Sequence, residues 1–120
     1  MASIKLDISQ RLDITCRKGD TFSLSVDFTD STGAAIDLSL YSFQMEVRDS
    51  GTDAVIIATS SIDFVKNADS TTGRLNVLIT SSDVTPSGSF IYDLESTKTS
   101  NLFVQTWLFG VFTINDDVTA

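Results

Sequence analysis

The chemistry open to this chain is narrow, because it contains no histidine. That removes the commonest general base and the commonest metal ligand, and with them any Ser-His-Asp or Cys-His arrangement. Two acidic pairs close in sequence are Asp116 with Asp117 and Asp27 with Asp30. A two-carboxylate glycosidase needs one of its carboxyls held protonated in a shielded pocket. These pairs fall in turns or in the polar tail, so no catalytic centre is expected. Asp27, Asp30, Asp49 and Asp53 are of the right type to hold calcium, which takes oxygen ligands from loops. None sits in the spaced Asp/Asn-Gly pattern of an EF-hand loop. The simpler role of such residues is to accept hydrogen bonds from nearby backbone N–H groups in turns. Lys18-Gly19-Asp20 has one glycine and no helix behind it, so it is a turn rather than a phosphate loop. A lone Cys16 allows neither an internal disulfide nor a cysteine zinc site, and it suits a small apolar strand position. No cofactor is expected.

The elements that must carry these residues are strands. The chain has 120 residues, the size of one domain, and 42% of them are hydrophobic, too many for a disordered segment. Fourteen Asp stand against two Glu, alongside 17 Ser and 15 Thr. Asp and Ser favour turns and caps, Thr favours strand surfaces, and Glu favours helices, so the balance is against a helical protein. Apolar and polar residues alternate through Phe22, Leu24, Val26 and Phe28, then through Tyr41, Phe43, Met45 and Val47. Leu12–Cys16, Leu75–Ile79 and Phe90–Leu94 repeat the pattern. Val55–Ala58 and Ile62–Val65 are shorter apolar segments. Asp30-Ser31-Thr32-Gly33 and Asp49–Asp53 are turns, and Ser81–Gly88 carries the capping residues of one short helical turn. About eight or nine short strands separated by turn signals predict two antiparallel sheets packed face to face, or a closed barrel. One domain over residues 1–120 is expected, with 1–10 as an N-terminal arm or edge strand and Ile4–Ile8 as its alternating core.

A formal net charge of −8 with eight scattered basic residues argues against nucleic acid and anionic membrane surfaces as partners. No stretch approaches the ~20 apolar residues of a membrane span. The start, Met1-Ala2-Ser3-Ile4-Lys5, lacks a charged segment followed by an apolar run, so synthesis and folding in a cytoplasm are expected.

Leu102–Ile114 is the most apolar stretch and is apolar on both faces for much of its length. A strand of that kind in a small sandwich needs a cover on its outer side. The candidate interface residues are Phe103, Trp107 and Phe109, together with Ile91 and Leu78; their alternative place is the domain's own core. Gly110 within this stretch suggests a bulge or bend.

The order of motifs resembles a domain of tailed-bacteriophage virion proteins. A Lys18-Gly19-Asp20 turn is followed by an alternating strand, an Asp/Gly turn, an Ile36-Asp37-Leu38 connection, and an aromatic strand ending near Arg48. The second half continues with "GRLNVLITSSDVTPSGSFIYDLES", which contains Tyr92-Asp93-Leu94, and closes with "WLFGVFTINDDVT", which ends on Asp117-Val118-Thr119. The resemblance spans roughly residues 14–119. It is to the N-terminal domain of baseplate upper proteins and to small standalone phage structural proteins. It implies an immunoglobulin-like β-sandwich without enzymatic activity that joins other virion proteins in a tail or baseplate. It also implies a homo-oligomer, commonly a trimer, located in the virion after synthesis in the bacterial host cytoplasm. A capsid decoration protein and a glycan-binding adhesion module are the alternatives. The latter requires Trp107 or Tyr41 to be exposed beside polar side chains.

Overall fold

The computed structural model describes residues 9–30 and 32–116. The expected Ile4–Ile8 strand and the Asp117-Val118-Thr119 ending lie outside them. Nine strands are present among the described residues: β1 Gln10–Arg11, β2 Ile14–Arg17, β3 Phe22–Asp27, β4 Tyr41–Arg48, β5 Val55–Ile57, β6 Ile62–Lys66, β7 Arg74–Ile79, β8 Gly88–Lys98 and β9 Val104–Asn115. The larger sheet has the order β1-β9-β8-β4-β5, with β2 also on β9, and the smaller sheet has the order β3-β7-β6. Taken in chain order, β9-β8-β4-β5 is the G-F-C-C′ arrangement of an immunoglobulin variable-type sheet, and β3-β7-β6 is B-E-D. The fold is therefore an all-β, immunoglobulin-like sandwich.

Alternation explains why these segments form this core. In β3, Phe22, Leu24 and Val26 face inward while Ser23, Ser25 and Asp27 face water. Leu75, Val77 and Ile79 of β7 meet them across register and are fully buried. The larger sheet supplies Met45, Val47, Tyr92, Leu94, Phe112 and Ile114. Aromatic rings bridge the layers at two places. Phe22 meets Phe112 edge-on at 5.4 Å, and Phe28 lies 5.3 Å from Phe43 and 5.0 Å from Trp107. Such pairs add to the burial of their own area by about 0.5–1.5 kcal/mol each. The connections are short 3-10 turns, including Ser70–Thr72, capped by the Asp69 carboxylate, and Ser81–Asp83 in the segment expected to hold a helical turn.

Three expectations need correction. First, the sandwich is not wholly antiparallel: β1 and β2 both run parallel to β9. Alternation reports which face of a strand is buried, not which edge it joins or in which direction. Second, Gly110 is not a bulge. It pairs regularly with Tyr92, and its lack of a side chain lets the N-terminal strand close in. A Cβ there would lie 2.5 Å from the Leu12 carbonyl oxygen and 2.8 Å from Asp13 Oδ1. The Asp13 carboxylate bridges the break between β1 and β2 by accepting from Val111 N–H at 3.0 Å. Third, the bulge is at Trp107. Leu94 pairs with Leu108 and Glu95 with Thr106, so Trp107 is the extra residue.

Candidate interaction surface

The bulge decides which residues of β9 share a face. Strict alternation places Phe103, Trp107 and Phe109 together. One extra residue reverses the sides on the far part of the strand. Trp107 therefore turns inward: its indole N–H donates to the hydroxyl of the buried Ser96 at 2.8 Å, and its ring meets Phe28 edge to face. Phe109 remains on the outer face of the larger sheet, 38% exposed, beside Ile91 at 41%. Ile91 is paired with Val111, and Phe109 with Asp93. Phe103 lies past the bulge at the tip of the β8–β9 hairpin. Leu78 lies on the outer side of the smaller sheet, between Ser23 and Asp63, away from the other four. The structure thus joins Ile91 to Phe109, adds Val111, and separates Trp107 and Leu78 from them.

The hairpin tip is held in an uncommon shape. Lys98 N–H donates to the Phe103 carbonyl at 2.9 Å, and Leu102 N–H donates to the Lys98 carbonyl at 2.8 Å. Leu102 adopts a φ of 57°, a left-handed conformation unusual for a side chain of its size. The Asn101 side chain accepts from Phe103 N–H at 3.1 Å. Leu102, Phe103 and Val104 consequently project into solvent in succession.

Between the tip and Phe109 the outer face of the larger sheet is acidic. Glu46 of β4 stands directly across from Asp93 of β8, and Glu95 is the next outward residue on β8. Arg48 supplies the nearest cation and donates to Glu46 at 2.8 Å. Partial burial, then the Glu46 charge, raises the Asp93 pKa above its usual value, with Arg48 opposing. Burial, then Asp93 and Glu46, raises that of Glu95. Sequence reading does not reveal this cluster, although alternation with Met45, Val47, Tyr92 and Leu94 puts Glu46, Asp93 and Glu95 on outward positions. What it lacked was the β4–β8 register that sets them side by side.

The calcium candidates are engaged in other bonds. Asp27 pairs with Arg74 at 2.9 Å, and Asp30 accepts from the backbone N–H groups of Thr32 and Ala34. Asp49 takes Gly51 N–H and the Thr52 hydroxyl, and Asp53 lies 3.3 Å from Arg48. Among the described residues no three carboxylate or thiol groups converge as a metal site would require. The arrangement is a surface on which apolar side chains border carboxylates. No protein-family model matches this chain, and no curated protein matches it in sequence.

Proposed function

We propose that this protein is a non-enzymatic structural component of a tailed-phage virion, an adaptor that joins other virion proteins in the tail or baseplate and does so as a homo-oligomer, most simply a trimer. The observation that carries the proposal is the outer face of the larger sheet together with the hairpin tip. Ile91, Phe109, Leu102, Phe103 and Val104 are all exposed along one strand pair. Exposed apolar groups of this kind mark places where proteins meet. Aromatic residues are enriched at the centre of such contacts. The carboxylates between them favour a neighbour that presents Lys or Arg. The immunoglobulin-like strand order and the motif resemblance support the same reading.

Phe109→Asp and Ile91→Asp test it, because both positions are exposed; at position 109 the new carboxylate faces Asp93 across the ladder, which costs the fold about 1 kcal/mol at most. In an infected host, particles should carry the wild-type chain and lose the variants, measured by mass spectrometry of purified virions. Light scattering should show the wild type as an oligomer and Phe109→Asp as a monomer. A wild-type monomer at high concentration that is also absent from particles would overturn the proposal. Copies found only on the capsid shell in a particle reconstruction would replace the tail placement with decoration.

A further inference from the structure

A cavity of about 500 Å³ opens between the two sheets on the side away from this surface's apolar stripe. It exists because the sheets differ in width: the larger has a five-strand path and the smaller has three strands. Part of the larger sheet's inner face is therefore left without a facing strand. Its volume lies within the range of small-molecule sites, about 300–1,000 Å³.

Its lining selects a class of ligand. Trp107, Phe28 and Ile36 form an apolar floor. The indole N–H is already bonded to Ser96, so Trp107 offers its remaining ring surface. Around that floor stand two carboxamides, Gln10 and Gln105, and the phenol of Tyr41. None of these three side-chain ends has a hydrogen-bond partner among the described residues. A carboxamide both donates and accepts, as does a phenol, so all three match neutral hydroxyl groups. Asp27 and Asp30 complete the rim, but Arg74 neutralises the first and backbone N–H groups hold the second. Among the described residues no Lys or Arg lines the cavity, so phosphates, sulfates and acidic sugars would meet only negative charge there. A wholly apolar ligand would strip water from Gln10, Gln105 and Tyr41 and give nothing back.

We infer that this cleft binds a neutral glycan, with the C–H face of one sugar ring on Trp107 and its hydroxyls on Gln10, Gln105 and Tyr41. The inference is independent of the assembly role, since the cleft and the outer apolar stripe lie on opposite faces of the larger sheet. The chain would carry a sugar-reading function beside a structural one.

Trp107 is the only tryptophan in the chain, so its fluorescence reports on the cleft directly. The test titrates the full-length protein with neutral probes: methyl glycosides of glucose, galactose, mannose and N-acetylglucosamine, and the disaccharides cellobiose and lactose. Tryptophan emission and two-dimensional amide NMR are followed together. At least one probe should shift the emission and the side-chain amide resonances of Gln10 and Gln105, with saturation in the millimolar range. Gln105→Ala should weaken that binding about tenfold, and Tyr41→Phe should also weaken it, both with unchanged far-UV circular dichroism. Three results would each overturn the inference: no probe moves these signals, a probe binds but shifts only residues outside the cleft, or the cleft takes an apolar dye and no sugar.

Discussion

Asp93 shows how much a single residue of this sheet depends on its cross-strand neighbour. It stands opposite Glu46, is followed two residues on by Glu95, and is offset by Arg48. Like charges placed directly across a ladder are destabilising by about 0.2–1 kcal/mol. The sign of the pH effect follows from the raised pKa. The folded state holds the Asp93 proton more tightly than the unfolded chain does, so this residue favours folding below the ordinary carboxylate range. That contribution is lost as pH rises through the raised value. Asp93→Asn removes the loss. Near pH 7 the variant should be more stable than wild type by about 0.5–1 kcal/mol, and near pH 3 the two should coincide. Urea unfolding at the two pH values checks this. Comparing variant with wild type cancels the opposite trend of Asp27, Asp30 and Asp37, whose pKa values are lowered by hydrogen bonds and whose stabilisation fades on acidification. The cluster also gives the proposed interface a pH response: protonating Asp93 and Glu95 weakens attraction to a basic neighbour.

At the scale of an element, the N-terminal strand pair is the part of the fold with the most specific fastening. β1 and β2 lie parallel on the edge of β9, joined across the break by Asp13. Gly110 opens the space for this approach, and the Tyr92 hydroxyl reaches across to donate to the Leu12 carbonyl at 2.5 Å. Burial, then the Asp13 charge, pushes the Tyr92 pKa up to about 12. Stabilisation from this phenol is therefore complete below its unfolded value near 10 and is lost as pH rises through about 12. Tyr92→Phe should cost about 1–2 kcal/mol. It should also speed hydrogen exchange of the amides shared by β2 and β9 more than those shared by β8 and β4, measured by NMR. Equal acceleration everywhere would mean that the phenol stabilises the whole domain rather than this strand. The bulge is the second element-scale device. By admitting Trp107 as an extra residue it gives β9 an inward indole and an outward Phe109 only two positions apart, which alternation alone cannot do.

For the whole molecule, the question is what ties a five-strand path to a three-stranded sheet. Phe43 of the larger sheet stacks on Phe64 of the smaller one at 6.5 Å and lies against Phe28 beyond the end of β3. Phe28 in turn meets Trp107. Removing the central ring should loosen both layers at once. Phe43→Ala is expected to cost about 3 kcal/mol, at the lower end for a phenylalanine because the ring is only half-buried. Tryptophan fluorescence and far-UV circular dichroism should still report one coincident transition at lower denaturant. Separated transitions would mean that the sheets are not coupled through this cluster. The two outer faces then divide the work. The smaller sheet presents Ser23, Ser25 and Asn76 to water, with Leu78 and Val65 as apolar exceptions. The larger sheet carries the apolar stripe and its carboxylates.

Much of this was legible in the sequence because alternation is local: each side chain's face follows from its neighbours two residues away. Leu24 and Phe43 turn inward as that pattern requires. The Asp30 turn and the 3-10 segment Ser81–Asp83 also follow from residues within a few positions of one another. The features fixed by strand pairing across the fold are non-local. The parallel seat of the N-terminal strand depends on an edge of β9 some 100 residues away, as the 98-position span from Asp13 to Val111 shows. The bulge depends on how β9 registers with β8, and that register moved Trp107 from the expected outer surface to the inner one. Glu46 and Asp93 become neighbours only through the β4–β8 ladder. The cleft that gathers Gln10, Tyr41, Gln105 and Trp107 draws on β1, β4 and β9. A sequence records which face each residue prefers; register, strand direction and the mismatch in sheet width arise when distant segments pair, and they set which side chains meet.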